Sequence, residues 1–452
     1  MHIIGKSSNS IAKQDSPASE ANKGIAESRS TETPRRIGVG KFGVSFSSVK
    51  TFDSLRNSAY RFYFLGMVGQ WGSMNMQMVT RSLLIYRLTG SAAILGLMSL
   101  ANALPMLFLS LFGGVIADRV QKKNVIQAGQ AASALVALSV AITLTTGYLS
   151  PQHPGSWWVL IVNSVLQGII MAFMMPARQA IIPEIVSKAQ VMNAVALNSL
   201  GMNTVRLVAP ALAGFLVDAF DFEAVFYTMT GLYLASVVFT SFLPATGTIS
   251  LRGGGALLNI QEGLKYMWGK TTILLILVLT LVVVVLSMPY QMMMPIFADD
   301  ILQVGATGMG ILMSVSGIGA MIGSFAIASL PSKRRGTLLL VSGLILGLAL
   351  AGFAFSRSWP LSLGLMAFVG LGQTGRQTLA TTLLQSYTDA EYLGRVMSIN
   401  MMDMGLSSLG TFLAGLLAEG IGAQWAIGGF AMVLVLISIL AFVFVPRIRK
   451  LD

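Results

Sequence analysis

The chain has no cysteine among its 452 residues and only two histidines, His2 and His153. That excludes disulfides, thiolate nucleophiles and cysteine metal sites, and it confines imidazole chemistry to two positions outside the long apolar runs. Charge is scarce too: 11% of residues are Asp, Glu, Lys or Arg, against about 25% in an average soluble domain. No Gly-x-x-x-x-Gly-Lys-Ser/Thr phosphate loop occurs, so nothing supports nucleotide-driven work by this chain alone. The apolar runs hold no paired carboxylates, histidine or cysteine, and an enzyme would need such a constellation. The expectation is therefore a protein that is not an enzyme and uses no cofactor and no metal.

What is present in abundance is apolar sequence, at 54% of the chain. The runs are long enough to supply the roughly 20 residues that a bilayer-spanning helix requires. Unbroken apolar runs lack the alternation of barrel strands, and hydrocarbon leaves no other way to satisfy the backbone, so the fold class is an all-α membrane protein. Twelve spans are expected, at roughly 60–86, 92–116, 124–147, 157–181, 193–217, 224–243, 271–296, 306–330, 336–356, 360–384, 395–418 and 424–446.

Basic residues orient them. Of the 30 Lys and Arg, 24 fall on one face: the stretch up to Arg61, the cluster Arg119, Lys122 and Lys123, the later loops on that side, and Arg447, Arg449 and Lys450. Positive charge is retained in the cytoplasm, so both termini are expected there, in a multi-pass protein of the cell membrane. Asp218, Asp221, Glu223, Asp299, Asp300 and Glu419 collect on the opposite face. The net charge of +12 thus reads as a topology signal, and no nucleic-acid partner is expected.

The chain also repeats itself. Arg178-Gln179 is matched by Arg376-Gln377, and Leu212-Ala213-Gly214-Phe215-Leu216 by Leu413-Ala414-Gly415-Leu416-Leu417. Two pseudo-symmetric six-helix bundles are expected, and parallel halves of this kind bracket a site near the bilayer midplane. The expected organisation is a disordered basic cytoplasmic tail at 1–58, an N-terminal bundle at 59–243, a linker at 244–270, a C-terminal bundle at 271–446 and a short tail at 447–452. Within the linker, Leu257, Ile260, Leu264, Met267 and Trp268 recur at helical spacing, which predicts an amphipathic helix at the cytoplasmic interface.

Polar groups inside the spans are the site candidates. Asp403 is the one carboxylate well inside an apolar run; it is a candidate for proton coupling, with a structural hydrogen bond as the alternative. Arg206, near the middle of the fifth span, is placed to bind an anionic or carbonyl-rich substrate or to gate; otherwise it pairs within the bundle. Arg81 is expected to snorkel to water. Gln70, Ser73 and Gln77 share one helical face, and Asn163, Gln167, Tyr290, Gln291, Gln373 and Gln377 add candidates from other spans. Each serves equally as a substrate-cavity contact or as a helix-packing hydrogen bond. The Met residues, including Met74, Met78 and Met292 to Met294, offer an adaptable apolar wall or fill the core.

The stretch Gly114-x-x-x-Asp118-Arg119-x-x-Lys122-Lys123 resembles the signature loop between the second and third helices of the major facilitator superfamily. Pro176-Ala177-Arg178-Gln179-Ala180, Arg206-Leu207-Val208-Ala209-Pro210 and Gly394-Arg395-Val396-Met397-Ser398 resemble the branch that contains the enterobactin exporter and macrolide efflux proteins. The resemblance implies a secondary active antiporter, working by alternating access and driven by protons, that exports amphipathic siderophore-like or drug-like molecules. The alternative is an importer of a small organic solute with the same fold. It further implies that Gly114, Asp118, Arg119, Lys122, Lys123 and Arg178 form a latch on the cytoplasmic side, where the competing reading is that these charges serve topology alone. Its partners would be a small-molecule substrate, protons and the bilayer; the sequence leaves the oligomeric state open, with a monomer as the default.

Overall fold

A computed structural model describes residues 54–245, 247, 265–330, 333–389, 391–400 and 403–452, without the side chains of 111–119, 398 and 404. The expected tail at 1–58 and the predicted linker helix therefore lie largely outside the described residues. The described part is helical: α1 (Ser58–Thr89), α2 (Ala92–Arg119), α3 (Lys122–Thr145), α4 (Trp158–Ile185) and α5 (Val191–Ser241) in the first half, then α6 (Thr271–Ser287), α7 (Pro289–Ile296), α8 (Gly305–Ser329), α9 (Arg335–Phe355), α10 (Trp359–Tyr387), α11 (Leu393–Asn400), α12 (Asp403–Ile421), α13 (Ala423–Phe444) and α14 (Pro446–Arg449). A π-helical turn, Phe297–Ile301, continues α7.

Eight of these stretches are long and apolar enough to cross a membrane. Helices α1 and α10 are 32 and 29 residues long but are diluted by amides and, in α10, by Arg376. Helix α5 has 51 residues, about 76 Å at 1.5 Å per residue, more than twice a hydrocarbon core of ~30 Å. It has to turn back, and it does so at Asp221, whose φ of 63° and ψ of 178° break the helix between two of the expected spans. The eleventh expected span covers most of α11 and α12, with residues 401–402 outside the described ones.

Asp221 holds a backbone conformation that is otherwise nearly confined to glycine and costs on the order of 1–3 kcal/mol. Asp221→Gly is therefore expected to keep the turn and raise stability by about 1 kcal/mol, once glycine's greater entropy loss is subtracted. Thermal unfolding of the purified protein checks this; a lowered midpoint would mean that the carboxylate contributes more than the backbone strain takes away.

Within the first half, α1 and α3 pack on α5, and α2 on α4; within the second, α10 packs on α8 and α9, and α9 on α13. The seam between the halves is formed by α5 against α8 and α2 against α12. Small residues bring these helices together. A Cβ placed on Gly214 would collide with the Ala306 carbonyl oxygen, and one on Gly310 with that of Pro210. Without a hydrophobic drive between helices in lipid, such close backbone approach is a main source of packing energy.

Candidate functional site

A cavity of about 40 Å³ lies in the seam, lined from the first half by Asn75, Met78, Arg206 and Pro210, and from the second by Tyr290, Gln291, Met313, Ser316, Gly317 and Met366. Arg206 is the one charged side chain in that lining. Opposite it, the Gln291 amide donates to the Tyr290 hydroxyl at 3.3 Å, and that hydroxyl donates to Gln373 Oε1 at 3.3 Å. Pro289 opens α7 and sets the local turn that brings Tyr290 and Gln291 to the seam. The arrangement joins a cation to amide and phenol groups within a methionine wall, which suits a ligand with electron-rich oxygens on an apolar body.

The sequence candidates divide. Arg206 and Gln291 line this cavity together, and Gln373 stands one hydrogen bond behind it. Gln70 and Gln77 are buried inside the first half, and Ser73 of the same face donates to the Met229 carbonyl oxygen at 3.2 Å, so this face of α1 is turned toward α5. The neighbouring Asn75 and Met78 meet the seam instead. Asn163 accepts from Ser139 at 3.2 Å, and Gln167 donates to Ser133 at 3.4 Å, so both join α4 to α3. Gln377 is exposed.

On the face rich in basic residues, α2 runs on to Arg119 and leaves only 120–121 between it and α3. The backbone of Gly114, Asp118 and Arg119 lies in α2, and their side chains fall outside the described residues. Lys122 pairs with Glu184 at 2.5 Å, and Lys123 donates to the Ser241 carbonyl at 2.8 Å and to that of Leu243, which caps the end of α5. These lysines tie the first half to itself. On the second half, Tyr266 stacks on Tyr392 at 4.1 Å and donates to Asp389, which docks the end of the linker segment.

The repeat pair Arg178 and Arg376 occupies corresponding interior positions. Arg178 faces Tyr63 and Tyr233. Arg376 is 2% exposed, Nε and Nη1 have no hydrogen-bond partner among the described residues, and its charge is opposed by Asp403 in the first turn of α12. Single-residue reasoning passed over Arg376, although its repeat mate Arg178 was the signal that pointed to it. Arg81 is half-buried, with Nε and Nη1 enclosed beside Tyr233 on the side of α1 that packs on α5.

On the opposite, acidic face the halves are joined by ions. Arg87 at the end of α1 holds Asp299 in a fork, Nε to Oδ2 at 2.8 Å and Nη2 to Oδ1 at 3.1 Å, and the hydrogen bond pushes its guanidinium above the ordinary arginine range. Tyr86 donates to Asp300. Glu419 at the end of α12 accepts from Ser91 Oγ at 3.0 Å and the Ala93 amide at 3.2 Å, and Asp218 of α5 accepts the Ala306 and Thr307 amides of α8 at 3.3 and 2.7 Å.

Comparison with known proteins follows the same lines. Residues 49–452 match the family described as "Transmembrane secretion effector". The chain is 25% identical to the staphyloferrin A transporter of Staphylococcus aureus over 80% of its own length and 89% of that protein's. It is also 25% identical to the multidrug efflux pump Tap of Mycolicibacterium fortuitum, over 82% and 91%. Among solved structures, the nucleoside transporter NupG superposes with a TM-score of 0.67 at 14% identity, covering 86% of this chain and 99% of that one, a likeness of fold.

Proposed function

The chain belongs to the transmembrane secretion effector family of the major facilitator superfamily, and on that premise we propose that it is a secondary active exporter of amphipathic molecules with electron-rich oxygens, siderophore-like or drug-like, driven by protons. It is a multi-pass membrane transporter of the efflux branch. The observation that carries the substrate reading is the seam cavity, where one cation, Arg206, faces Tyr290 and Gln291 from the other half. A group held between two halves is the natural station of a carrier that rocks about a central site.

At about 40 Å³ the cavity has room for a few waters at most, whereas a drug-sized ligand needs ~300–1,000 Å³. Substrate therefore enters a wider state, in which the halves separate along the seam. In this reading the two six-helix halves are the moving bodies, both termini are cytoplasmic as the 24 basic residues on one face support, and Gly114, Asp118 and Arg119 close the basic face in the alternate state. Asp403, opposed by Arg376, is the proton site. The relatives' names, a staphyloferrin A transporter and a multidrug efflux pump, favour the two substrate classes equally.

The test is accumulation of carboxylate siderophores, macrolides and lipophilic cations in cells with and without the protein. Lower accumulation of at least one class in the expressing cells is expected, lost when the proton gradient is collapsed. Equal or greater accumulation of every class would remove the export reading and return the importer.

A further inference from the structure

On the face rich in basic residues, the two halves make the same clasp with different chemistry. In each, the start of the third span meets the chain just past the sixth. In the first half side chains do it: Lys123 of α3 donates to the Ser241 and Leu243 carbonyl oxygens, while Lys122 is taken by Glu184. In the second half the backbone takes most of the load. The Gly336 amide of α9 donates to the Leu451 carbonyl oxygen at 3.0 Å, the Thr337 hydroxyl to that of Arg449 at 2.9 Å, and the Arg334 amide to Asp452 Oδ1 at 2.6 Å. Glycine permits this approach, since a Cβ at 336 would collide with the Ile448 carbonyl oxygen. Ile448 and Leu451 are buried in one cluster with Leu339 and Leu340, so the chain end is packed down on α9.

A backbone clasp leaves the basic side chains unengaged. Lys333, Arg334 and Arg335 on one side of it and Arg447, Arg449 and Lys450 on the other make six cations, with Asp452 the one acidic side chain between 330 and 337 or 445 and 452. Arg335 is half-buried and the other basic residues are exposed. Among the described residues, none of these basic side chains has an ion pair or a hydrogen bond. Topology asks only that cations lie on this face. It does not ask that two basic runs be locked side by side without counter-charge, where they repel one another.

The patch also borders lipid. Helices α9 and α13 are both long and apolar enough to cross a membrane, and α9 begins and α13 ends at this corner. Phe442, Val443 and Phe444, in the last turn of α13, are exposed. The Arg449 guanidinium lies over the Phe442 ring at 5.5 Å, which sets one cation beside a ring of that apolar surface. We propose that this corner binds the headgroup of an anionic phospholipid such as phosphatidylglycerol. The phosphodiester lies among the cations, where guanidinium groups offer forked donors, and an acyl chain runs along the exposed end of α13. Basic clusters between membrane helices hold such headgroups by charge complementarity. A free phosphate would meet the charge but leave Phe442 and Phe444 uncovered. The site lies in the second half alone and stands apart from the export reading, from the seam and from Asp403.

Native mass spectrometry of the detergent-purified protein counts bound lipid directly and needs no transport. The protein is titrated with phosphatidylglycerol and with phosphatidylcholine of the same acyl chains, and the first should bind more tightly by about tenfold or more. Arg447→Gln/Lys450→Gln removes two exposed charges while the backbone clasp stays in place. It should weaken phosphatidylglycerol binding by about ten- to thirtyfold and leave phosphatidylcholine unchanged. Lys188→Gln/Lys265→Gln, which removes two exposed charges elsewhere on the same face, should keep the preference. Glycerol phosphate at matching concentration should not displace the lipid, because it lacks the acyl chain. Equal binding of the two lipids by the parent protein, an undiminished preference in the patch variant, or an equal loss in the control variant would each overturn the site. Displacement by glycerol phosphate would overturn it as a lipid site and leave one for a soluble anion.

Discussion

Arg206→Gln is expected to cut export of anionic substrates by about ten- to a hundredfold, and that of cationic substrates far less. The magnitude follows from losing a hydrogen bond to a charged partner, about 1.5–3 kcal/mol. Arg206 is the one charge in the seam lining, so no neighbour there replaces it. Glutamine keeps much of the stem and a donor, so insertion and packing should survive. Transport rates in proteoliposomes loaded with a carboxylate siderophore and with a lipophilic cation measure the ratio directly. Equal loss in both classes, in correctly inserted protein, would move Arg206 from substrate binding to gating or structure.

The second large effect concerns Asp403. Asp403→Asn keeps the shape and removes the ionisable group, so concentration of substrate against an imposed pH gradient should fall to the passive level while binding remains measurable. The partner complicates the variant. Arg376 is buried with two nitrogens unpartnered among the described residues, and removing the one carboxylate that opposes its charge is expected to lower stability. The double variant Asp403→Asn/Arg376→Gln should therefore recover stability and still lack coupling. If either variant concentrates substrate normally under the gradient, coupling resides elsewhere and the pair serves packing.

Much of this protein is legible in one dimension because the bilayer simplifies the rules. Hydrocarbon demands long apolar helices, so hydropathy located the helices, the turn near Asp221 and the all-α class, and the basic residues sorted the faces. The internal repeat likewise announced that Arg178 and Arg376 would hold corresponding places. The chemistry of the seam was only half visible: Arg206 and Gln291 were found because a polar group in lipid is costly wherever it points.

Orientation about each helix axis was decided by tertiary packing. Helical spacing states that Gln70, Ser73 and Gln77 share a face, but not which neighbour that face meets; α5 took it, and Asn75 and Met78 were left for the seam. The same holds for Arg81, whose Nε and Nη1 lie enclosed beside Tyr233 while the residue as a whole is half-buried. Asp218, Asp299, Asp300 and Glu419 were recognisable as residues of one face, yet their partners lie 88 to 328 positions away. Sequence alone determined the solvent and the helices, because those depend on each segment's own transfer energy. The cavity and the carboxylate bonds of the acidic face depend on which surfaces two halves present to one another, and only the folded chain decides that.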